Sequence, residues 1–148
     1  MTETPEEIRA PARLDNLYTL LEFVTSRARR CGAGPERLRE IELALEELLV
    51  NIFNYAYPDG AGEVTIRCRR AGVGRLAVEI ADDGIPFDIL TRAEPDLDAP
   101  LDERGIGGLG IFFVRQLVPE IGYRREGGKN ILTLAIDLSP QSPGTSAP

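Results

Sequence analysis

The sequence contains no histidine and only one lysine, Lys129, and the scarcity of these residue types excludes several kinds of functional site. Without histidine, the chain cannot supply a Ser-His-Asp triad, a histidine-ligated zinc site or a phosphohistidine. The formal net charge is −7, and the arginines that supply the other positive charges form no basic stripe. A nucleic-acid partner is therefore not expected, because phosphate contacts need clustered positive charge.

Cysteines and long apolar runs are also scarce. The only two cysteines, Cys31 and Cys68, lie far apart in the sequence, which is typical of structural thiols in a reducing cytoplasm. No stretch reaches the roughly eighteen apolar residues that predict a membrane-spanning helix. Residues 1–8 are polar and acidic, unlike a signal peptide. We therefore expect a cytoplasmic protein with no membrane partner.

The composition is that of one soluble globular domain. The 148 residues are 43% hydrophobic and 28% charged, which is enough to bury a core without a metal or a disulfide. We expect a flexible N-terminus over residues 1–7, one ordered domain over 8–138, and a disordered Ser/Pro/Gly tail over 139–148.

Hydrophobic periodicity predicts the order of helices and strands. Apolar residues recur with a helical period over 14–30, 35–56 and 111–117. A long loop without a clear period occupies 86–104. Alternating apolar and polar residues predict strands over 8–10, 63–70, 76–82, 123–126 and 130–137. Hairpins dominate this order, so we predict an α/β (α+β) two-layer sandwich whose mixed, mostly antiparallel sheet carries helices on one face.

The glycine-rich segment at residues 105–110 (GIGGLG) formally matches a dinucleotide-binding fingerprint. Its late position after an irregular loop disfavours a Rossmann unit, and no Gly-Lys-Ser/Thr sequence exists for a P-loop. Small residues before a helix do let the backbone approach phosphates, which the helix N-terminus attracts. A plain tight turn is the alternative interpretation.

The second predicted helix carries a polar pair, Glu47 and Asn51, opposite its apolar stripe. Asparagine is a poor helix former, so its place in mid-helix needs a reason. An amide oxygen facing a cleft can complete the coordination of Mg²⁺ held by nucleotide phosphates. A nearby carboxylate can take a proton from an attacking hydroxyl. The alternative is an ordinary solvated helix face.

A third segment, residues 82–88 (DDGIPFD), follows a predicted strand. A turn alone explains the Asp-Gly pair. A carboxylate at a strand end beside a glycine can also accept a hydrogen bond from an adenine amino group. Each of the three signals is weak individually, whereas their order and spacing together are specific.

In that order and spacing the segments resemble the GHKL (Bergerat) ATPase and kinase superfamily. Residues 47–51 are similar to its N-box, residues 82–88 to its first glycine box in the D-x-G-x-P-F form, and residues 105–110 to its second glycine box. The likeness covers residues 14–138. Within the superfamily, the chain is most similar to the anti-sigma factor serine-protein kinases.

The resemblance implies a Bergerat fold that binds ATP with Mg²⁺. It implies that Glu47 is the general base, that Asn51 binds the metal, and that Asp82 binds the adenine. Residues 86–104 would form an ATP lid. The other implied nucleotide-binding residues are Gly84, where close approach is needed, Arg104 at a phosphate, Gly105, Gly107, Gly108, Leu109 and Gly110 around the phosphates, and Asn130 near the adenine.

One position departs from the family pattern. Members often have histidine a few residues after the N-box asparagine, and this chain has none there. Asn54 is the candidate that would replace it as a phosphate donor. The departure bears more on the rate of phosphoryl transfer than on nucleotide binding.

The implied activity is that of a protein serine kinase in a partner-switching module. It would phosphorylate a STAS-domain antagonist and otherwise sequester a sigma factor, and it would dimerise through its first helix and first strand. The main alternative is a regulatory switch that binds ATP or ADP without chemistry. A histidine kinase fragment would need its acceptor on another chain. A gyrase-like or chaperone-like ATPase is disfavoured because no transducer domain is present.

Overall fold

The structure, a computed structural model, describes residues 5–91 and 108–139. The described residues form five strands and three α-helices. The strands are β1 (Glu6–Pro11), β2 (Glu63–Arg70), β3 (Arg75–Asp82), β4 (Glu120–Glu126) and β5 (Lys129–Asp137). The helices are α1 (Leu17–Arg30), α2 (Pro35–Asn51) and α3 (Gly108–Leu117), with a 3-10 turn before α1 (Leu14–Asn16) and a π-helical turn after α2 (Ile52–Ala56).

The strands form one sheet in the order β1-β2-β3-β5-β4, and every described pairing is antiparallel. Hairpins join β2 to β3 and β4 to β5. Gly127 and Gly128 turn the second hairpin with φ of 59° and 77°, the left-handed region that tight hairpin turns need. Because β5 lies between β3 and β4, Asp82 at the end of β3 faces Asn130 across the ladder.

The core lies between the sheet and the helices. Alternate residues of β2, β3 and β5 are buried on the side that the helices cover, as their alternating sequence predicts. The apolar stripes of α1 and α2 pack against this face. The largest buried apolar side chains include Leu20, Ile41, Leu45, Leu48, Leu49, Ile66, Leu76, Ile80 and Ile136. The predicted two-layer sandwich is confirmed, and none of the described helices is long and apolar enough to cross a bilayer.

Several element boundaries differ from their predictions. The helix predicted over 35–56 changes to a π-helical turn after Asn51. Such turns are frequent at functional sites. The third helix begins at Gly108, so half of the predicted glycine turn is its first turn. Gly110 lies in this first turn, and its lack of a side chain lets the helix approach α2. Strands β1 and β4 begin before their predicted starts.

Arg37 anchors the start of α2 to the sheet. Its side chain is fully buried, its Nε donates to the carbonyl of Asp137 at 2.7 Å, and its Nη1 pairs with Glu40 at 3.0 Å. The far end of α2 lies near the end of β3 and the start of β5, because the π-helical turn that follows α2 is bonded to the loop after β3.

Some predicted segments lie outside the described residues. The predicted lid is described only over 86–91, and the predicted tail only at Ser139. Arg104, Gly105 and Gly107 lie outside the described ranges altogether, as do residues 1–4.

Candidate active site

Glu47 and Asn51 face each other one turn apart on α2. The Asn51 amide nitrogen donates to the Glu47 carbonyl at 2.7 Å and to Glu47 Oε1 at 2.9 Å. Asn51 is buried, whereas Glu47 is half-buried. The amide oxygen of Asn51 makes no hydrogen bond within the described residues, and such an oxygen is the kind of ligand that Mg²⁺ prefers.

The glycine-rich start of α3 packs directly against this pair. A Cβ atom at Gly110 would overlap the carboxylate of Glu47. Glycine at this position therefore lets α3 approach the polar side of α2. The N-terminal N–H groups of a helix are unpaired within the helix and attract anions, so the two segments together suit a phosphate group. The side chain of Leu109 lies outside the description.

Asp82 ends β3 in a buried position, with 3% of its surface exposed. Its Oδ1 accepts hydrogen bonds from the backbone of Gly84 at 2.9 Å and from the amide nitrogen of Asn130 at 2.8 Å. Burial raises the pKa of the Asp82 carboxyl, and these two hydrogen bonds act in the opposite direction. Oδ2 makes no hydrogen bond within the described residues, so one oxygen is left for a ligand.

Gly84 has a structural requirement of its own. A Cβ atom there would overlap the carbonyl of Ala56, and the next residue, Ile85, donates its N–H to that same carbonyl at 2.9 Å. The loop after β3 therefore lies against the end of the π-helical turn. The predicted role of Gly84 in close nucleotide approach stays a prediction beside this packing role.

Asn54 lies on the π-helical turn and is exposed. No hydrogen bond of its side chain is formed with the described residues. Its neighbour Tyr55 contacts Phe87, with ring centroids 5.5 Å apart, which ties the helix end to the loop after β3. Asn54 is thus free to turn towards a ligand.

Most of the chain matches a known family. The profile of the histidine kinase-like ATPase domain family matches residues 10–136, a range that contains α2, the end of β3 and the glycine-rich start of α3. The chain belongs to the histidine kinase-like ATPase domain family. The expected resemblance to the GHKL superfamily is thereby confirmed, and ATP is the ligand that this ATPase family implies.

Individual proteins and solved structures are also similar to this chain. The serine-protein kinase RsbW of Bacillus cereus is 25% identical over 130 residues, which are 85% of this chain and 81% of that protein. The RsbU and RsbW domains of a Mycobacterium tuberculosis protein share the fold at 18% identity, with a TM-score of 0.60. That match covers 90% of this chain and 32% of the other, so this chain spans about a third of its length. The SiaB–SiaC complex of Pseudomonas aeruginosa also contains the fold, with a TM-score of 0.54, 16% identity and 88% of each chain covered.

Within this ATPase domain, the structure brings the predicted residues together in two groups. Glu47, Asn51 and Gly110 lie in contact between α2 and α3. Asp82 and Asn130 lie in contact across β3 and β5. Two predicted groups from distant parts of the sequence thus line the same end of the helix-covered face of the sheet.

Sequence reasoning missed four residues that contact this candidate site. Tyr57 accepts a hydrogen bond from the Asp83 N–H at 2.7 Å and donates to the Glu63 carbonyl at 2.6 Å. Burial raises the pKa of Tyr57, so its hydroxyl stays a donor. The other three, with their partners, are Tyr123 at Asn130 (2.6 Å), Arg125 at the Gly84 carbonyl (2.8 Å) and Lys129 at Asp83 (2.6 Å). No local pattern predicts these contacts, because each joins residues that only the fold makes neighbours.

Proposed function

We propose that this chain is an ATP-dependent protein serine kinase of a cytoplasmic partner-switching module. It phosphorylates a serine on a STAS-domain antagonist, and in its other state it holds a sigma factor. The relatives named serine-protein kinase RsbW support the activity, and their similarity extends over most of both chains. A homodimer formed through α1 and β1 belongs to the same proposal.

The observation that carries this proposal is the contact between Glu47, Asn51 and Gly110. It joins a carboxylate, an amide oxygen suited to Mg²⁺, and a helix N-terminus suited to phosphate. A phosphoryl transfer needs these three elements, because its catalysis consists mainly of positioning and charge neutralisation. An ordinary solvated helix face would not bury Asn51.

Each residue has a distinct task in the transfer. The serine oxygen of the antagonist forms a bond to the γ-phosphorus of ATP as the bond to the β,γ-bridging oxygen breaks, and ADP leaves. Glu47 accepts the proton of the serine hydroxyl. Bound Mg²⁺ would neutralise phosphate charge, with Asn51 Oδ1 as its protein ligand. The hydrogen bond from Asn51 keeps the Glu47 carboxylate orientated before the substrate arrives.

Phosphorylation of the antagonist then reverses the switch. A phosphoserine adds close to two negative charges at an interface. This chain carries a net charge of −7, so a phosphorylated antagonist is repelled from it. Release of the antagonist leaves the kinase able to bind the sigma factor again.

A labelling experiment tests the proposal. The protein is incubated with γ-labelled ATP, Mg²⁺ and the STAS-domain protein encoded nearest to its gene, and transfer of label is followed with time. We expect labelling of the antagonist, and we expect Glu47→Ala to lower the rate by about a hundredfold or more, as loss of a general base does. The affinity for ADP, measured by calorimetry, should stay within about threefold of the parent.

Glu42→Ala is the matched control, because Glu42 lies on the same helix but is exposed. It should label the antagonist at the parent rate. An unchanged labelling rate in Glu47→Ala would refute the role given to Glu47.

The second candidate is a switch that binds ATP or ADP without phosphoryl transfer. It is favoured by one observation, the exposed Asn54 where family members often have histidine. In that case the antagonist stays unlabelled while its affinity for this chain still differs between ATP and ADP. Labelling that requires Glu47 excludes this candidate.

A further inference from the structure

All the hydrogen-bonding capacity of Asn130 is used inside the protein. Its amide nitrogen donates to Asp82 Oδ1 at 2.8 Å and to the Ile85 carbonyl at 2.8 Å. Its amide oxygen accepts from the Phe87 N–H at 3.0 Å and from the Tyr123 hydroxyl at 2.6 Å. An asparagine amide offers two donor hydrogens and two acceptor lone pairs, so none is left for a bound nucleotide.

These four partners fix which way the amide points. If it were flipped, its nitrogen would face the Phe87 N–H, and its oxygen would face the Asp82 carboxylate and the Ile85 carbonyl. The flip would replace at least three hydrogen bonds by repulsive contacts, and buried polar groups without partners are costly. The Tyr123 hydroxyl makes the shortest of the four bonds, and of the two donors to the Asn130 oxygen it is the one that belongs to a side chain.

The fixed amide in turn fixes Asp82. Its Oδ1 is occupied by Asn130 and by the Gly84 N–H, while Oδ2 makes no hydrogen bond within the described residues. The carboxylate therefore offers a ligand one acceptor and no donor. A base with an amino group at its six-position satisfies that oxygen, whereas a base with an oxo group there places an acceptor against an acceptor.

We propose that Tyr123 and Asn130 are positioning residues that set the base specificity of the site without touching the base. They do so by keeping Asp82 in the one orientation that accepts a 6-amino purine and rejects a 6-oxo purine. This inference rests on the proposed nucleotide binding at Asp82. It gives Asn130 an indirect role on the adenine side of the site, where the family resemblance places it.

The strands explain why Tyr123 reaches this position. Asn130 pairs with Asp82 on β3 and with Arg125 on β4. Tyr123 lies two residues before Arg125 on β4. Its side chain is therefore on the same face of the sheet as that of Asn130 and lies diagonal to it. The three side chains form one row across three neighbouring strands, which holds the carboxylate rigidly.

The test compares ADP with inosine diphosphate, which differs in carrying an oxo group at the six-position. Affinities of the parent, Tyr123→Phe and Asn130→Ser are measured by calorimetry. We expect the parent to prefer ADP by about tenfold or more. Tyr123→Phe should weaken ADP binding by about three- to tenfold, the effect of one hydrogen bond, and should weaken inosine diphosphate binding less. The preference for ADP should therefore fall.

A double-mutant cycle shows whether Tyr123 acts through Asn130. In the Asn130→Ser background, Tyr123→Phe should have less than about a twofold further effect on either ligand, because the amide it holds is gone. Val73→Ala is the control, because Val73 is fully exposed in the turn between β2 and β3. It should leave both affinities unchanged.

The possible results separate the inference from the function on which it rests. If the parent protein binds no ADP, both the inference and the proposed function are refuted. If the parent binds ADP but Tyr123→Phe weakens both ligands equally, Tyr123 has a structural role only and the inference fails. It fails also if the effects of Tyr123→Phe and Asn130→Ser are additive. Thermal unfolding of each variant confirms that the folded protein is being measured.

Discussion

Burying a polar side chain costs free energy unless its hydrogen bonds are replaced, so each buried polar residue needs a reason. Among the described residues, the buried polar or charged side chains are Thr25, Arg37, Asn51, Asp82 and Asn130. Three of these five belong to the site that the sequence motifs predict. Arg37 has a separate structural role at the start of α2. Burial therefore identifies three of the residues that the family resemblance implies.

At the residue scale, Asp82→Asn should weaken nucleotide binding and raise the thermal stability of the protein. The asparagine keeps an oxygen for the bonds from Gly84 and Asn130, but it turns the free acceptor into a donor. We expect ADP binding to weaken by about ten- to a hundredfold, as for a charge-assisted hydrogen bond. We expect Tm at pH 7 to rise by about 2–4 °C, which corresponds to ~1 kcal/mol in a domain of this size.

The gain in stability should depend on pH in a defined direction. Burial raises the pKa of Asp82 above its ordinary value of 3.8. The folded state therefore holds this proton more tightly, and the associated stability is full below pH 3.8 and lost as pH rises through the folded-state pKa. The difference in Tm between Asp82→Asn and the parent should shrink as pH falls towards 3.8. Asp83→Asn, at an exposed neighbour, is the control, and an equal pH profile for both variants would contradict the assignment.

The motifs predicted Asn51 and Asp82, because each lies in a segment whose local sequence is unusual, whereas Asn130 was implied by the family resemblance alone. Tyr57 and Tyr123 could not be predicted in this way. Their hydroxyls act on residues of other elements, and tyrosine in such places is equally compatible with ordinary core packing. The residues that orient the functional groups of a site are therefore harder to predict from a single sequence than the functional groups themselves.

At the element scale, the close approach of α3 to α2 depends on Gly110. Gly110→Ala should favour the helix by up to about 1 kcal/mol, because alanine is the better helix former. Its methyl group would nevertheless overlap the flexible carboxylate of Glu47 and displace it. We expect little change in Tm and a fall of about tenfold or more in labelling of the antagonist, with ADP affinity less affected.

Gly84→Ala is the informative counterpart, because there the methyl group meets the backbone carbonyl of Ala56, which cannot move aside. Overpacking of this kind should lower the free energy of unfolding by about 1–3 kcal/mol. Equal losses of stability in the two variants would show that the Gly110 contact is ordinary packing.

The elements themselves were predicted where their pattern is local. Strand β2 has the predicted bounds, since its alternation of apolar and polar residues extends over its whole length. The change to a π-helical turn after Asn51 was not predicted. The same apolar period continues through that turn, and its geometry depends on the loop that packs against Ala56.

At the scale of the whole molecule, β1 is an edge strand of the sheet that the described residues form, and two apolar side chains are exposed shortly after it in the chain. Leu14 is 63% exposed and Tyr18 is 74% exposed at the start of the first helical segment. If this surface forms the proposed homodimer, Tyr18→Lys should weaken dimerisation by about tenfold or more, as at an interface aromatic. Sedimentation velocity across a range of concentrations measures this.

Val73→Lys serves as its control, because Val73 is fully exposed in the turn between β2 and β3. That variant should sediment like the parent. A parent protein that stays monomeric at high concentration would contradict the dimer without affecting the nucleotide site.

The position of β5 between β3 and β4 has a consequence for how the protein is made. Asp82 and Asn130 are 48 residues apart in the chain, yet they are partners in one ladder. During synthesis, β1, β2 and β3 leave the ribosome well before β5, with the buried carboxylate still lacking its neighbour. If nucleotide binds at Asp82 as we propose, its pocket is incomplete until the last described strand has inserted, and ATP should not stabilise a growing chain before that moment.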